Sequence, residues 1–218
     1  MLKACIFDLD GVVVDTAKYH FLAWKRLANE FGFDFDEHLN EKLKGVSRKE
    51  SLELILKWAN VTISESDKLE SAKRKNEWYI EFVSKMTNDE ILPGVVAFLD
   101  ELKSNDIRIA LGSASRNSMM CLEQIGLINY FDVIVDGNKV ETAKPNPEVF
   151  LRGAFELNLK PFECVVFEDA QVGIEAANAG GFFSIGVGDA LVLKDASVVI
   201  KTFENFTLNK LREALINF

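Results

Sequence analysis

Phe7-Asp8-Leu9-Asp10-Gly11-Val12 decides the fold, because it places two aspartates one residue apart at the end of an apolar run, Leu2 to Phe7. Such a run, followed directly by acidic residues and a glycine, is typical of a buried strand that ends in a turn. Successive side chains of a strand alternate between its faces, so we expect Asp8 and Asp10 to point the same way at its carboxyl end. Open α/β sheets bind their ligands at that edge.

Two carboxylates at the end of an apolar strand are costly unless a partner offsets their charge. A bound cation is the simplest partner, and the ions that prefer oxygen ligands are Mg²⁺ and Ca²⁺. The pair alone is also compatible with a simpler role, in which it does no more than cap the turn that follows. Motifs elsewhere in the sequence are needed to distinguish these two interpretations.

Polar side chains end two further apolar runs. Ile107 to Ser113 ends in Ser113-Ala114-Ser115, just before a predicted helix from Asn117 to Gly126. A hydroxyl beside the N–H groups of a helix start is suited to binding an anion. Lys144 follows the short run Val133 to Val135, and Pro145 keeps this lysine out of helical conformation.

A fourth run, Cys164 to Phe167, ends in Glu168 and Asp169. The four strand ends therefore offer a carboxylate pair, a hydroxyl, an ammonium group and a second carboxylate pair. A phosphate group beside a divalent cation uses all of these groups together. Each motif is a weak indication, but the ordered set favours phosphate chemistry over a turn cap.

Only helical patterns occur between the first strand and Met86. One face keeps helical spacing, and two segments, Ser47 to Glu50 and Ser64 to Asp67, have the form of a capping box. The residues of that face are Tyr19, Leu22, Ala23, Leu27 and Phe31. We therefore predict an all-helical cap, residues 16–86, inserted into a core made of residues 1–15 and 87–218.

Helix and strand signals alternate from Leu92 onward, which is typical of a parallel sheet with helices on both faces. Besides the strands named above, we predict strands at Phe183 to Val187 and, at the sheet edge, Val198 to Ile200. We predict further helices over Val95 to Ser104, Pro147 to Leu157, Gln171 to Ala179 and Leu208 to Phe218.

Composition excludes several classes of protein. The net charge of −9 argues against nucleic acid as a partner, because proteins that bind it present basic surfaces. No apolar run reaches the length of a membrane span, and the first run is interrupted by aspartates, which is unlike a signal peptide. The three cysteines (Cys5, Cys121 and Cys164) lie in apolar contexts and predict buried free thiols, hence a cytoplasmic protein.

The ordered set DLDGV, SAS, KP and ED resembles the four signature motifs of the haloacid dehalogenase superfamily, in its phosphatase and phosphomutase branch. Further segments are similar to the β-phosphoglucomutase family within it: Thr16 to Trp24, Leu43 to Arg48, Ala72 to Asn76, Ser113 to Asn117 and Glu168 to Ile174. The resemblance implies an α/β enzyme with a Rossmann-like parallel sheet core and an inserted all-helical cap domain.

The resemblance also implies roles for the core residues. Asp8 corresponds to a nucleophile that becomes an aspartyl phosphate, with a metal-ligand role alone as the alternative, and Asp10 to the general acid and base. Asp169, the Asp8 carboxylate and the Asp10 backbone carbonyl are expected to hold Mg²⁺. Glu168 is expected to be a ligand, a support for Asp169, or a charge at the start of the next helix. Lys144 is expected to offset the negative charge around Asp8 and the transferring phosphoryl group. Ser113 and the Ala114 N–H are expected to bind the oxygens of that group.

In the cap, the resemblance implies that Arg48 holds the phosphate far from Asp8, and that His20 and Lys75 couple the cap to Asp10. The alternatives are a solvated arginine in the first turn of a helix and an ordinary half-buried histidine. Family members often carry lysine where this chain has Arg116. The rest of the implied substrate site comprises Thr16, Trp24, Leu43, Gly45, Val46, Ser51, Ser115, Arg116 and Asn117.

The implied reaction interconverts β-D-glucose 1-phosphate and glucose 6-phosphate through a β-glucose 1,6-bisphosphate. The alternatives are a phosphatase of sugar phosphates or other small metabolites, and a sugar-phosphate sensor without activity. The presence of Asp8, Asp10, Lys144 and Asp169 speaks against a sensor, because binding alone needs no nucleophile. We expect a monomer that binds a small sugar phosphate, with no nucleic acid or membrane partner.

Overall fold

A parallel six-stranded sheet forms the centre of the molecule in a computed structural model that describes residues 2–216. Its strands are β1 (Ala4–Phe7), β2 (Arg108–Gly112), β3 (Val133–Val135), β4 (Cys164–Glu168), β5 (Phe183–Val187) and β6 (Val198–Ile200). Their order across the sheet is β3-β2-β1-β4-β5-β6. Every predicted strand is present, although β1 begins two residues later than the apolar run does.

Nine helices accompany the sheet within residues 2–216. They are α1 (Ala17–Glu30), α2 (Glu37–Glu41), α3 (Arg48–Ala59), α4 (Glu65–Val83), α5 (Val95–Ser104), α6 (Ser118–Gln124), α7 (Glu148–Glu156), α8 (Gln171–Ala179) and α9 (Leu208–Ile216). The predicted helices outside the cap are confirmed within one or two residues at each end. The last two residues of the predicted closing helix, 217 and 218, lie outside the described residues.

Helices cover both faces of the sheet, which explains why its central strands are apolar without interruption. The side chains of Cys5 and Phe7 lie in one buried cluster, to which α5 contributes Phe98. The alternate residues Ala4 and Ile6 lie in a second cluster with side chains of α7 and α8. All four residues of β1 are fully buried. This strand therefore forms the middle of the core and fixes the position of the residues that follow it.

The helices α1 to α4 form the predicted helical cap around a hydrophobic cluster of their own, which includes Trp24 and Ile55. Ser47 and Ser64 are the N-caps of α3 and α4, as their sequence context predicts. Leu22, one of the residues at helical spacing in α1, lies outside this cluster, and its side chain is 45% exposed. The separate cluster supports the domain boundaries at residues 16 and 86, which stay a proposal.

The three cysteines are buried and free, as predicted. Among the helices in residues 2–216, none has both the length and the apolar character required to cross a bilayer.

The strand order places a crevice at the ends of β1 and β4. From β1 the chain builds the sheet outward first on one side, to β2 and β3, and then on the other side, from β4 to β6. In open α/β sheets, ligands bind where the order reverses in this way, outside the carboxyl ends of the strands. Asp8 directly follows β1 and donates its N–H to the Phe167 carbonyl of β4, at 2.9 Å. Asp8 and Asp169 therefore meet at the reversal point.

Gly94 offers a test of the core packing. Its φ is +85°, and a Cβ on this residue would overlap the backbone of Phe203. Gly32 also has a positive φ, of +69°, but no described heavy atom lies within 4 Å of a Cβ built there. We expect Gly32→Ala to destabilise the fold by about 1–2 kcal/mol, the cost of a left-handed alanine. Gly94→Ala should cost about 2–5 kcal/mol, because overpacking adds to that strain.

Urea unfolding of the two glycine variants, compared with the unmodified protein, measures both losses. Equal losses in Gly94→Ala and Gly32→Ala would contradict the close packing of Gly94 against Phe203.

Candidate active site

Lys144 and Asp8 form a buried ion pair at the end of β1. The Lys144 Nζ lies 2.6 Å from Asp8 Oδ1 and 3.5 Å from Glu168 Oε1, and only 1% of the lysine side chain is exposed. Burial opposes the charge on Lys144, but the carboxylates of Asp8 and Glu168 outweigh it and raise the lysine pKa. Lys144 is therefore a fixed positive charge beside Asp8.

Three carboxylates share this corner of the molecule. Asp8, Glu168 and Asp169 each offer an oxygen atom, and these oxygens lie within 4.8 Å of one another. Burial and the charge of Asp8 raise the pKa of Glu168 well above its ordinary value and that of Asp169 to about 7. Crowding of the three acids therefore disfavours their charged forms, and a bound cation would offset that cost.

Two glycines make room for these acids. A Cβ on Gly11 would overlap Asp169 Oδ2, and a Cβ on Gly173 would overlap the Glu168 carboxylate. Gly11 also has a φ of +79°, a conformation that other residues adopt only with strain. The backbone therefore approaches the carboxylates more closely than an alanine at either position would allow.

The cluster fits a divalent cation. Glu168 Oε2 is buried, and no group in residues 2–216 donates a hydrogen bond to it. An unpaired buried carboxylate oxygen is costly, and a cation bound to it would remove that cost. Carboxylate oxygens are the ligands that hard divalent ions prefer. The Asp10 side chain does not belong to this cluster, and the expected contact of its backbone carbonyl with a metal stays a prediction.

Asp10 lies in the loop after β1. The strand ends at Phe7, so strand alternation does not extend to Asp10, and the reason given for the two aspartates to share a direction is wrong. The Thr16 hydroxyl donates a hydrogen bond to Asp10 Oδ1, and His20 Nε2 lies 4.0 Å from Oδ2. Burial and the charge of Asp8 raise the pKa of Asp10 to about 6, against a smaller lowering by the Thr16 hydrogen bond. The loop therefore presents Asp10 to residues of the cap.

His20 and Lys75 lie close together. The Lys75 Nζ lies 3.0 Å from His20 Nδ1, and the lysine is only 2% exposed. Burial and neighbouring positive charges, those of Lys75 and Arg48, lower the pKa of His20 well below its ordinary value. His20 is thus a neutral imidazole between Lys75 and Asp10, which connects the cap to the loop after β1.

Two aromatic rings pack against this pair, and one of them, that of Tyr79, was not identified in the sequence analysis. The Lys75 Nζ lies 4.4 Å from the ring centroid of Trp24 and 4.9 Å from that of Tyr79. The Tyr79 ring also lies 4.2 Å from the His20 ring, and Tyr79 is fully buried. Its spacing of four residues from Lys75 on α4 was the available signal, because such residues share a helix face.

Arg48 of the cap and Arg116 of the loop after β2 are near enough for their positive charges to interact. Arg48 is the first residue of α3 and is half-buried. Its pKa is lowered by burial and by the charge of Arg116. Two arginines that repel each other across a domain boundary are suited to holding an anion between them, because a guanidinium binds phosphate through two parallel hydrogen bonds.

The loop after β2 is ordered by its own hydroxyls. Ser113 Oγ accepts a hydrogen bond from the Ser115 N–H at 3.1 Å, and Ser115 Oγ accepts one from the Asn117 N–H at 3.2 Å. The Asn117 side chain donates to Asn76 Oδ1 at 2.8 Å, which ties this loop to α4 of the cap. Ala114 is half-buried in the same loop. Asn76 lies at the end of the family-like segment Ala72 to Asn76, but the sequence analysis assigned it no role.

The remaining predicted substrate residues fall into two groups. Trp24, Leu43 and Ser51 are buried within the cap, and their predicted contact with the sugar stays a prediction. Gly45 faces the core, since a Cβ there would lie 3.2 Å from the Cβ of Ala170. Val46 lines a cavity of about 630 Å³ that Asp169 also lines.

Comparison with known proteins gives consistent results. The sequence matches the family described as haloacid dehalogenase-like hydrolase over residues 5–187. It is 42% identical to the β-phosphoglucomutase of Bacillus subtilis (strain 168), over 97% of this chain and 95% of that protein. It is 34% identical to a phosphorylated carbohydrates phosphatase of Thermotoga maritima, over 98% of this chain and 100% of that protein.

A crystal structure of the β-phosphoglucomutase of Clostridium difficile has the same fold, with a TM-score of 0.96 and 42% sequence identity. The match covers 100% of this chain and 98% of that structure. The family match spans most of the chain and includes β1 to β5 with the carboxylate cluster at their ends, so the chain belongs to the haloacid dehalogenase-like hydrolase family.

Proposed function

We propose that the protein is a β-phosphoglucomutase, which interconverts β-D-glucose 1-phosphate and glucose 6-phosphate through a phospho-aspartyl enzyme and β-glucose 1,6-bisphosphate. One observation carries the proposal: Arg48 of the cap and Arg116 of the core place interacting positive charges on the two sides of the site, in addition to Lys144, which pairs with Asp8. A phosphatase needs one phosphate site, whereas a mutase needs a second for the phosphate that is not being transferred. The relationship to two β-phosphoglucomutases at 42% identity supports this interpretation.

In the first half-reaction, the enzyme carries the phosphoryl group on the Asp8 carboxylate. The 1-phosphate of the sugar binds between Arg48 and Arg116, which directs the 6-hydroxyl towards Asp8. Asp10 removes the proton of this hydroxyl as its oxygen bonds to phosphorus and the bond to Asp8 breaks. The products are the 1,6-bisphosphate and a free Asp8 carboxylate.

In the second half-reaction, the bisphosphate has turned around, and its 6-phosphate occupies the arginine pair. Asp8 attacks the phosphorus of the 1-phosphate, and Asp10 protonates the departing oxygen of the sugar. Glucose 6-phosphate leaves, and the phospho-aspartyl enzyme is restored. A pKa of about 6 suits Asp10 to both proton transfers, because neither protonation state is strongly favoured near neutral pH.

The charges around Asp8 prepare the transfer. Lys144 stabilises the negative charge that the phosphoryl group and Asp8 share, and Ser113 and the Ala114 N–H bind the phosphoryl oxygens. The Asp8, Glu168 and Asp169 carboxylates, with the Asp10 backbone carbonyl, would hold Mg²⁺. When bound, this ion supplies positive charge that offsets the charge of the phosphoryl oxygens.

The cap excludes water and senses the substrate. Thr16 and His20 contact Asp10, and Lys75 contacts His20, so these residues connect Asp10 to the cap. Gly45, Val46 and Ser51 would line the sugar, with Trp24 and Leu43 as the apolar wall behind them. Ser115 and Asn117 would complete the site of the distal phosphate beside Arg116.

A sugar-phosphate phosphatase is the second candidate, since a full-length relative with 34% identity is a phosphorylated carbohydrates phosphatase. Both candidates use the same core residues, and they differ in whether a sugar hydroxyl or water accepts the phosphoryl group. We further propose that the enzyme is a cytoplasmic monomer. Its free buried thiols support a reducing compartment such as the cytoplasm.

Covalent catalysis gives the first test of the mechanism. We expect Asp8→Asn to abolish turnover and the covalent phosphate, because an amide cannot act as the nucleophile. The matched variant Asp10→Asn keeps the nucleophile and should slow turnover by roughly 10²–10⁴-fold, the usual contribution of a positioned acid or base. Mass spectrometry after rapid acid quench should map the phosphate to Asp8 in the Asp10→Asn protein. A phosphate on any other residue contradicts the assignment.

The distal phosphate site gives the test of mutase against phosphatase. The assay uses β-glucose 1-phosphate, Mg²⁺ and a trace of the 1,6-bisphosphate, and follows glucose 6-phosphate and free phosphate. We expect glucose 6-phosphate as the main product of the unmodified enzyme. Arg48→Ala should slow its formation by roughly 10–150-fold, the value of a bidentate contact with a charged group. Arg48→Lys should restore only part of this loss.

Two comparisons make the result specific for Arg48. Lys49→Ala removes the same charge from the next, exposed residue of α3 and should leave the rate unchanged. Hydrolysis of p-nitrophenyl phosphate, which has no second phosphate, should be nearly unaffected by Arg48→Ala. If Arg48→Ala weakens both reactions equally, Arg48 supports the cap and not the distal phosphate. If free phosphate is the main product of the unmodified enzyme, the phosphatase candidate is correct.

A further inference from the structure

A lysine of the cap reaches the acidic cluster of the core. The Lys44 Nζ lies 3.6 Å from Asp169 Oδ2 and 2.8 Å from Glu41 Oε2. The sequence analysis included Lys44 in the segment Leu43 to Arg48 but assigned it no role, whereas its neighbours Leu43 and Gly45 were assigned to the substrate site. Lys44 is the residue between Leu43 and Gly45, and its positive charge lies beside the carboxylate of Asp169 at the end of β4.

This contact is built into the way the cap packs on the core. Gly45, the residue after Lys44, has a φ of +70°, and a Cβ there would overlap Val172 at the start of α8. The segment can approach α8 so closely only with a glycine at this position. The docked cap therefore places Lys44 beside Asp169, and the contact between the two residues depends on that docking.

Lys44 and a divalent cation use the same carboxylate. Asp169 belongs to the three-acid cluster, and its pKa is raised by burial and by Asp8 but lowered by the charge of Lys44. An ammonium group at 3.6 Å already offsets part of the negative charge that attracts a metal. It also lies close enough to repel an ion bound to Asp169, because like charges at a few ångströms interact strongly in a partly buried site.

We propose that Lys44 is a positioning residue that competes with the divalent cation for Asp169, so that docking of the cap and metal binding oppose each other. Glu41 gives the ammonium group a partner when the ion takes Asp169, since the Glu41 contact is the shorter of the two. This inference rests on the metal site of the proposed function.

The opposition has a consequence for the reaction. Metal binding and cap docking are linked, so each changes the equilibrium constant of the other by the same factor. A bound ion therefore weakens cap docking as much as the docked Lys44 weakens metal binding. With metal bound, docking of the cap then depends more on the distal phosphate at Arg48 and Arg116. Such a cap closes over the loaded site mainly when sugar phosphate is present, which protects Asp8 from water.

Titration calorimetry with MgCl₂ on the substrate-free protein, at constant pH and ionic strength, tests the competition. We expect Lys44→Met to bind Mg²⁺ about 2–5-fold more tightly than the unmodified protein, the range that a partly exposed ion pair implies. Lys44→Gln should change the affinity in the same direction. The matched control is Lys42→Met, because Lys42 lines the same cavity as Lys44 and Asp169, while the contact with Asp169 belongs to Lys44.

The outcomes separate this inference from the proposed function. Tighter binding in Lys44→Met, with little change in Lys42→Met, supports the competition. Equal or weaker binding in Lys44→Met overturns it, and so does an equal gain in Lys42→Met, which would be a general effect of charge. If neither the unmodified protein nor Lys44→Met binds Mg²⁺, the metal site of the proposed function fails, and the competition fails with it.

Discussion

Crowding of negative charge at the ends of β1 and β4 is the constraint on which the rest of the site depends. Asp8, Glu168 and Asp169 are close together in a place from which water is largely excluded, and each needs positive charge nearby. Lys144 meets part of this need from within the core, at 2.6 Å from Asp8. The unpaired Glu168 Oε2 shows that one lysine does not satisfy the cluster. The same residues that are costly for folding are thereby prepared for a cation and a phosphoryl group.

The cap contributes basic side chains where it meets the core. Arg48, Lys75 and Lys44 all extend from cap helices or their connections towards the core, and each interacts with a charged group there. The three residues interact with different groups. Lys75 contacts His20, which lies beside Asp10, Lys44 contacts Asp169, and the charge of Arg48 interacts with that of Arg116. Docking of the cap thus completes three separate charge arrangements at once.

The sequence was sufficient to predict the sheet and the acids at its edge. Buried parallel strands are short and continuously apolar, so the run that contains β1 could be recognised without knowledge of its neighbours. Loop geometry was harder: the chain leaves the strand at Phe7, and the position of Asp10 depends on its hydrogen bond with Thr16. Helical spacing predicted α1 but not which of its apolar residues are buried, since Leu22 is 45% exposed.

Contacts between cap and core could not be predicted from periodicity, because they depend on how two separately packed units meet. Asn76 and Lys44 acquire their roles only through that meeting. Lys44 in particular has the sequence context of an ordinary exposed lysine beside a turn. Resemblance to a known family found the glycine next to it, and only the structure showed that this glycine brings the lysine to Asp169.

The central claim is that the cluster of Asp8, Glu168 and Asp169 is built for a divalent cation, and thermal unfolding with and without Mg²⁺ tests it most directly. A ligand that binds only the folded state at 100 times its dissociation constant stabilises it by about 2.7 kcal/mol, or roughly 5–10 °C for a chain of this size. We expect MgCl₂ to raise the unfolding temperature by this amount, NaCl of equal ionic strength to raise it far less, and Asp169→Asn to remove most of the difference. An unfolding temperature that responds equally to both salts would contradict the account.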